Sequence, residues 1–202
     1  MLQWYPTTYP VGSNPYGVAF DGSNIWVTNF GSNTVTKLLA SGGALVGTYT
    51  VGSNPYGVAF DGTNIWVANE GSNSVTKLLA SSGAVVGTYA VGSYPSAVAF
   101  DGTNIWVTNY GDSTVTKLLA SSGAVVSAYA AGNSPAGVAF DGTNIWVADA
   151  NSYNVTKLLA SNGTAEGKYT VGSSPIGVAF DGTNIWVAND GDSTVTKIGA
   201  TR

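Results

Sequence analysis

The sequence predicts an all-β fold made of five repeats of forty residues. A nine-residue stretch, residues 61–69 in its second copy, recurs five times with small changes and without insertion or deletion. Apolar residues alternate with a period of two instead of the helical period of about 3.6, so no helix is predicted. A repeat this regular indicates one repetitive body, and residues 1–202 are expected to form a single domain. Each copy carries one tryptophan at the same place: Trp26, Trp66, Trp106, Trp146 and Trp186.

Each repeat has the pattern of a four-stranded antiparallel meander. In the second copy a short β-rich run leads into Asp61-Gly62, a strong hairpin signal because Gly accepts positive φ. A cluster of Asn, Gly and Ser at 69–73 predicts a turn, and the Ser-Ser-Gly at 81–83 predicts another. The predicted strands of this copy are residues 56–60, 64–68, 74–79 and 84–91.

Both faces of such a sheet are apolar. Ile65 and Val67 point to one side of the second strand and Trp66 to the other, so each face needs cover. Radial packing of sheets face to face provides that cover and predicts a five-bladed β-propeller. Gly57 and Ala59 are small enough for an innermost strand crowded near the axis.

The two ends of the chain predict how the ring closes. The fifth repeat stops after its third strand, whereas Thr8 and Tyr9 align with Thr48 and Tyr49 at the end of the first repeat. Residues 1–11 are therefore expected to be the closing outer strand of the last blade, with the repeats beginning near 12, 52, 92, 132 and 172. Pro6 and Pro10 fit an outermost strand, since proline cannot donate to a β-ladder.

Composition excludes several classes of function. The net charge is -4 and the sequence pI is about 4.4, which argues against nucleic acids and anionic membrane surfaces as partners. The absence of His and Cys excludes catalytic triads, thiol nucleophiles and typical zinc sites. No apolar run approaches the ~18 residues of a membrane span. We therefore expect no cofactor, no membrane insertion and a monomer.

The Trp-Val-Thr-Asn motifs at 26–29 and 106–109, with the Gly-Asp-Ser-Thr-Val that follows the second, resemble the YVTN repeat of β-propellers. The resemblance covers essentially the whole chain. It implies a bacterial or archaeal protein that is secreted or on the cell surface, and rings that usually have seven blades. The five blades predicted here depart from that pattern. A second origin therefore stays open, namely an engineered or excised symmetric repeat protein. The related virginiamycin-lyase-like propellers use histidines, so their activity is not carried over.

The copies differ mainly at one end of the blades. The Asp-Gly turns are almost constant, whereas the loop after the second strand and the loop between blades vary. Because sites lie on loops of a rigid scaffold, this end is the candidate ligand face, although drift among duplicated repeats is the simpler explanation of the variation. The candidate residues are Asn14, Tyr16, Phe30, Asn54, Tyr56, Glu70, Tyr94, Tyr110, Asp112, Asp149, Asp190 and Asp192.

Two interpretations of function remain open. The first is a non-catalytic scaffold or binding module, and the alternative is a lectin that uses the aromatic and Asn side chains at the channel mouth to bind a glycan. The acidic residues of this face either hold a hard cation or only aid solubility, and no metal site is predicted. The five Asp-Gly aspartates are assigned to turn formation and the tryptophans to packing between blades. The five repeated lysines either face solvent or pair with those aspartates.

Overall fold

The computed structural model describes residues 7–199, which form five antiparallel sheets, here called blades 1 to 5. Blade 1 contains β1 (Pro15–Phe20), β2 (Asn24–Asn29), β3 (Thr34–Leu39) and β4 (Leu45–Thr50). Blade 2 contains β5 (Pro55–Phe60), β6 (Asn64–Asn69), β7 (Ser74–Leu79) and β8 (Val85–Ala90). Blade 3 contains β9 (Pro95–Phe100), β10 (Asn104–Asn109), β11 (Thr114–Leu119) and β12 (Val125–Ala130). Blade 4 contains β13 (Pro135–Phe140), β14 (Asn144–Asp149), β15 (Asn154–Leu159) and β16 (Ala165–Thr170). Blade 5 contains β17 (Pro175–Phe180), β18 (Asn184–Asn189) and β19 (Thr194–Gly199).

The predicted all-β meander is confirmed, because the strands of each blade pair in sequence order. Two single 3₁₀ turns, Glu70–Ser72 and Asp190–Asp192, are the helical segments of the described residues, and the sequence did not predict them. They are short enough to lie within the predicted turn after the second strand. None of the described helices is long and apolar enough to cross a membrane.

The first strand of each blade lies innermost, as predicted. The strands β1, β5, β9, β13 and β17 contact one another in that order. A Cβ at Gly17 would lie 2.5 Å from the carbonyl oxygen of Tyr56, and one at Gly137 would lie 2.5 Å from that of Ile176. Only a very small residue therefore fits where neighbouring inner strands approach each other, and blade 3 carries Ala97 at this position.

The tryptophans pack between blades, as predicted. Trp66 is fully buried, and it packs on Ile105, Val107 and Leu118 of the next blade. Its indole Nε1–H donates a hydrogen bond of 2.7 Å to Oδ2 of Asp61. The same bond recurs in all five blades, so each Asp-Gly turn also satisfies a tryptophan N–H group.

The aspartate of this turn is held in its charged form. Oδ1 of Asp61 accepts hydrogen bonds from the backbone N–H groups of Thr63 and Asn64, at 2.8 and 2.6 Å. Burial alone would raise the pKa of Asp61, but the hydrogen bonds from Trp66 and from these neighbours outweigh it and lower the pKa. The resulting stabilisation is present above the ordinary aspartate pKa and is lost as the pH falls through the lowered value.

Three of the five repeated lysines take a role that the sequence did not predict, whereas Lys157 pairs with Glu166. Lys77 is buried, with its Nζ 5.0 Å from the centroid of the Trp66 ring. The same Nζ donates to the carbonyl oxygens of Ala120 and Ser121 in the next blade, at 2.7 and 3.1 Å. Lys37 and Lys117 make equivalent bonds. These lysines neither face solvent nor pair directly with the aspartates, because the neighbouring blade supplies carbonyl acceptors in the right place.

The structure differs from the prediction where the ring was expected to close. Blade 5 has three strands among the described residues, and residues 7–11 lie outside any strand. Residues 1–6 of the predicted closing strand lie outside the described residues. Tyr9 packs against Gly43 of blade 1, as Tyr49 packs against Gly83 of blade 2, so the segment occupies the outer-strand place next to blade 1 without pairing with β19.

The outer face of blade 5 is consequently open. Trp186 is 39% exposed, whereas Trp106 is fully buried, and Val195 is 63% exposed, whereas Val115 is fully buried. A Cβ at Gly177 would meet only the side chain of Ala188, at 3.6 Å, so no inner strand covers β17 on this side. The described residues therefore form an arc of five blades with four packed junctions.

This geometry predicts unequal costs for removing two tryptophans. Trp106→Ala is expected to lower the free energy of unfolding by about 3–5 kcal/mol, because it empties a closed junction. Trp186→Ala is expected to cost only about 1 kcal/mol, because its ring is partly in water. Urea unfolding of both variants measures the difference, and equal costs would show that blade 5 is covered in solution.

Candidate functional site

The candidate face is built from paired loops. In blade 2 the N–H groups of Glu70 and Gly71 donate to the carbonyl oxygens of Asn54 and Ser53, each at 3.0 Å. These bonds join the loop after the second strand to the loop that enters the blade, and equivalent bonds occur in the other blades. The loops that carry the variable residues are therefore held by backbone contacts whose geometry does not depend on the side chains.

A pocket of about 400 Å³ lies on this face. Four of the predicted residues line this pocket, and all four belong to blades 2 and 3 or to the loops beside their strands. They are Tyr56, Glu70, Tyr94 and Tyr110. Three more residues complete the lining: Ser96, Ala136 and Ile176. The volume falls within the range of roughly 300–1,000 Å³ that is usual for small-molecule sites.

Ser96, Ala136 and Ile176 were not among the predicted site residues. All three occupy the repeat position after the first-strand proline, the position of Tyr16 and Tyr56. That shared position was the available signal, because neighbouring inner strands place these residues side by side around the mouth. They carry neither an aromatic ring nor a carboxylate, which are the side chains from which the candidate site was predicted.

Two further predicted aromatic residues, Tyr16 and Phe30, lie beside the pocket and contact the ring of Tyr56 in its wall. The ring centroids of Tyr16 and Tyr56 are 4.1 Å apart, and Phe30 lies 5.9 Å from Tyr16 and 6.4 Å from Tyr56. Tyr16 is 58% exposed. Burial, the neighbouring Tyr16 and the Glu70 carboxylate raise the pKa of Tyr56, so its phenol is neutral at physiological pH.

Several predicted residues have structural roles instead. Asp112 and Asp192 accept hydrogen bonds from the backbone N–H groups of Ser93 and Ser173, at 2.6 and 2.9 Å. Ser32 and Ser72 do the same in blades 1 and 2, so the aspartates replace a serine in a loop contact. Neither aspartate lines the pocket.

Asn14, Asn54 and Asp190 also lie outside the pocket wall. Asn14 and Asn54 have φ of 50° and 52°, a left-handed conformation that asparagine adopts readily. Tyr94 occupies the same repeat position with φ of 51°, and its backbone N–H is held by Oδ1 of Asn73 at 3.0 Å. Asp190 is exposed at the start of its 3₁₀ turn.

Asp149 is a buried carboxylate at a position where the other blades have asparagine. Its oxygens accept hydrogen bonds from Gly132 N–H at 2.9 Å and from the Thr156 hydroxyl at 2.6 Å. Burial raises the pKa of Asp149, although these hydrogen bonds and the charge of Lys168 act in the opposite direction. The buried Oδ1 of neighbouring Asn154 has no hydrogen-bond partner among the described residues.

Glu70 is the one carboxylate among the residues that line the pocket. No hydrogen bond or ion pair from the described residues engages its carboxylate oxygens, and burial raises its pKa. Within residues 7–199 no group of three or more His, Cys, Asp or Glu side chains gathers where it could hold a metal ion. The acidic residues of this face are thus dispersed among loop contacts, a buried strand end and the pocket.

No family model and no curated protein sequence matches this chain. Its structure is similar to that of a functionally unknown protein from Desulfotomaculum acetoxidans, with a TM-score of 0.82, 17% identity, and 95% of this chain and 67% of that chain covered. It is also similar to a catalytically inactive virginiamycin B lyase from Staphylococcus aureus with quinupristin, with a TM-score of 0.77, 17% identity, and 93% and 70% covered.

A third similar structure is the computationally designed Ika8 protein, with a TM-score of 0.80, 13% identity, and 92% of this chain and 58% of that chain covered. Likeness at these identities shows the fold alone, and it agrees with the blade architecture described above: the chain has a β-propeller fold. The resemblance to the YVTN repeat stays a prediction.

Asp149→Asn is expected to stabilise the protein. The Asn29 amide donates to the hydroxyls of Thr34 and Thr36 at 3.0 and 2.9 Å, so an amide at 149 can donate to Thr156 and to the unpartnered Oδ1 of Asn154. Because the pKa of Asp149 is raised in the folded state, its ionisation costs stability as the pH rises through that value.

The gain from Asp149→Asn should therefore be about 1 kcal/mol at pH 7, and it should shrink as the pH falls through the raised pKa of Asp149 towards the ordinary aspartate value. Urea unfolding at several pH values measures it, with Asp190→Asn as the exposed control. A loss of stability at pH 7 would show that the carboxylate is better accommodated than the amide.

Proposed function

We propose that this protein is a non-catalytic binding module that holds an organic ligand in the mouth pocket, within a secreted or surface protein of a bacterium or archaeon. The observation that carries the proposal is the contrast between the two kinds of repeat position. Asp, Trp and Lys recur unchanged at the blade junctions, whereas the residue after the first-strand proline is Tyr16, Tyr56, Ser96, Ala136 or Ile176. The varied positions, and not the constant ones, line the pocket on this face.

The pocket lacks the pair of carboxylates that a glycosidase requires, and it lacks histidine. Glu70 has no second carboxylate in the lining, and the chain contains no histidine. A glycosidase needs two carboxyl groups about 5–10 Å apart. Binding without catalysis is therefore the function that these side chains support best.

A lectin is the second candidate, and the stacked aromatic cluster favours it. Tyr16 and Phe30 present ring surface at the mouth, and Tyr16 is 58% exposed. Aromatic rings beside hydroxyl groups suit the apolar face of a sugar. This candidate places the ligand on blade 1, whereas the pocket lies on blades 2 to 5.

A thermal-shift screen with small metabolites and oligosaccharides tests both candidates, since a ligand that binds the folded state raises the melting temperature. The variants exchange residues between repeats, which keeps each one compatible with its position. Tyr94→Asn and Tyr110→Ala alter the pocket, Tyr16→Ala alters the aromatic cluster, and Tyr153→Asn is the control outside both.

A binding module predicts at least one hit whose shift is lost in Tyr94→Asn and Tyr110→Ala and kept in Tyr153→Asn. Glycan hits that depend on Tyr16 and not on Tyr110 would favour the lectin. No hit in the whole screen, or hits that none of these variants affects, would refute a ligand site on this face.

A further inference from the structure

The mouth pocket has the composition of an aromatic cage. We infer that its ligand is a methylated organic ammonium ion, held over tyrosine rings with its charge facing Glu70. This inference rests on the proposed function, because it names the ligand class of the same pocket. The lining contains three tyrosines, Tyr56, Tyr94 and Tyr110, and one carboxylate, Glu70. It contains no basic residue.

Charge is the first argument. The Glu70 carboxylate lies near enough to Tyr56 to raise the pKa of that phenol, and no described lysine or arginine pairs with it. A half-buried carboxylate without a partner costs free energy that a cationic ligand offsets. Neutral sugars would leave this charge uncompensated, and anionic ligands would be repelled by it.

The remaining walls favour a methylated cation over a primary amine. A primary ammonium has three N–H donors that need acceptors when water is removed. The Ser96 hydroxyl lies 2.8 Å from that of Thr108 and 3.1 Å from the carbonyl oxygens of Pro135 and Ala136, so it is already engaged. Ala136 and Ile176 add apolar surface. Methyl groups need no acceptors, and aromatic faces attract the spread charge of a quaternary ammonium.

The cage residues are also positioned before any ligand arrives. The Tyr94 ring lies against the backbone of Gly111, where a Cβ would approach its Cδ2 to 2.6 Å. The Tyr110 N–H donates to the Tyr94 carbonyl oxygen at 3.0 Å, which joins the two loops. Tyr56 is held by its contact with Tyr16. The backbone positions that carry these side chains are therefore set before binding, which favours affinity.

Isothermal titration calorimetry with choline and its neutral isostere 3,3-dimethylbutan-1-ol tests the inference. Choline should bind the wild-type protein at least about tenfold more tightly, since the two compounds differ in the charge of one atom. Glu70→Gln should weaken choline about tenfold and leave the alcohol unchanged. Tyr110→Ala should weaken choline, and Asp190→Asn, an exposed carboxylate outside the pocket, should have no effect.

Equal binding of choline and the alcohol, or equal binding of choline by wild type and Glu70→Gln, would overturn the inference. So would tighter binding of ethanolamine than of choline, because the cage would then favour N–H donors. If another compound of the screen binds the pocket and choline does not, the ligand class is wrong and the binding module stands. If nothing binds, both are wrong.

Discussion

The structure depends on one contact set that recurs at the junctions between blades 1 and 2, blades 2 and 3, and blades 3 and 4. An aspartate carboxylate accepts the indole N–H of a tryptophan, a lysine ammonium lies over the same ring, and the lysine donates to carbonyl oxygens of the next blade. In blade 4, Lys157 pairs with Glu166 of its own blade instead. Each polar group of the set is satisfied by another, so charged side chains can be buried between sheets at little cost. The set is made of residues that recur every forty positions, whereas the residues of the mouth loops differ between copies.

The sequence was sufficient to predict the meander, the innermost strand and the packing role of the tryptophans. Period-two patterning and hairpin glycines act locally, so they can be read without knowing the neighbouring blade. The role of Lys77 could not be predicted in this way, because its acceptors, Ala120 and Ser121, lie in another repeat and are backbone groups. The same limit applies to the pocket. The aromatic or acidic side chains of Tyr56, Glu70, Tyr94 and Tyr110 made them predictable from sequence. Ser96 and Ile176 line the pocket because the inner strands meet there, which the sequence of one repeat does not reveal.

Ring closure depends on a global quantity, the angle turned per blade, which no local pattern specifies. Among the described residues, β19 pairs with β18 alone and Trp186 is 39% exposed. The pocket spans blades 2 to 5, whose inner strands contact one another in order, and its Ile176 lies on β17 beside the open junction.

Constant repeat positions build the scaffold of this protein, and we propose that the varied positions build one binding pocket. Backbone amide and indole NMR signals followed during a choline titration test it most directly. We expect the backbone amide signals of the pocket residues to change their chemical shift, namely Glu70, Tyr94, Ser96, Tyr110 and Ala136. The five indole N–H signals of the blade tryptophans should stay unchanged. Shifts centred on the Asp-Gly turns, or spread evenly over the five blades, would contradict it.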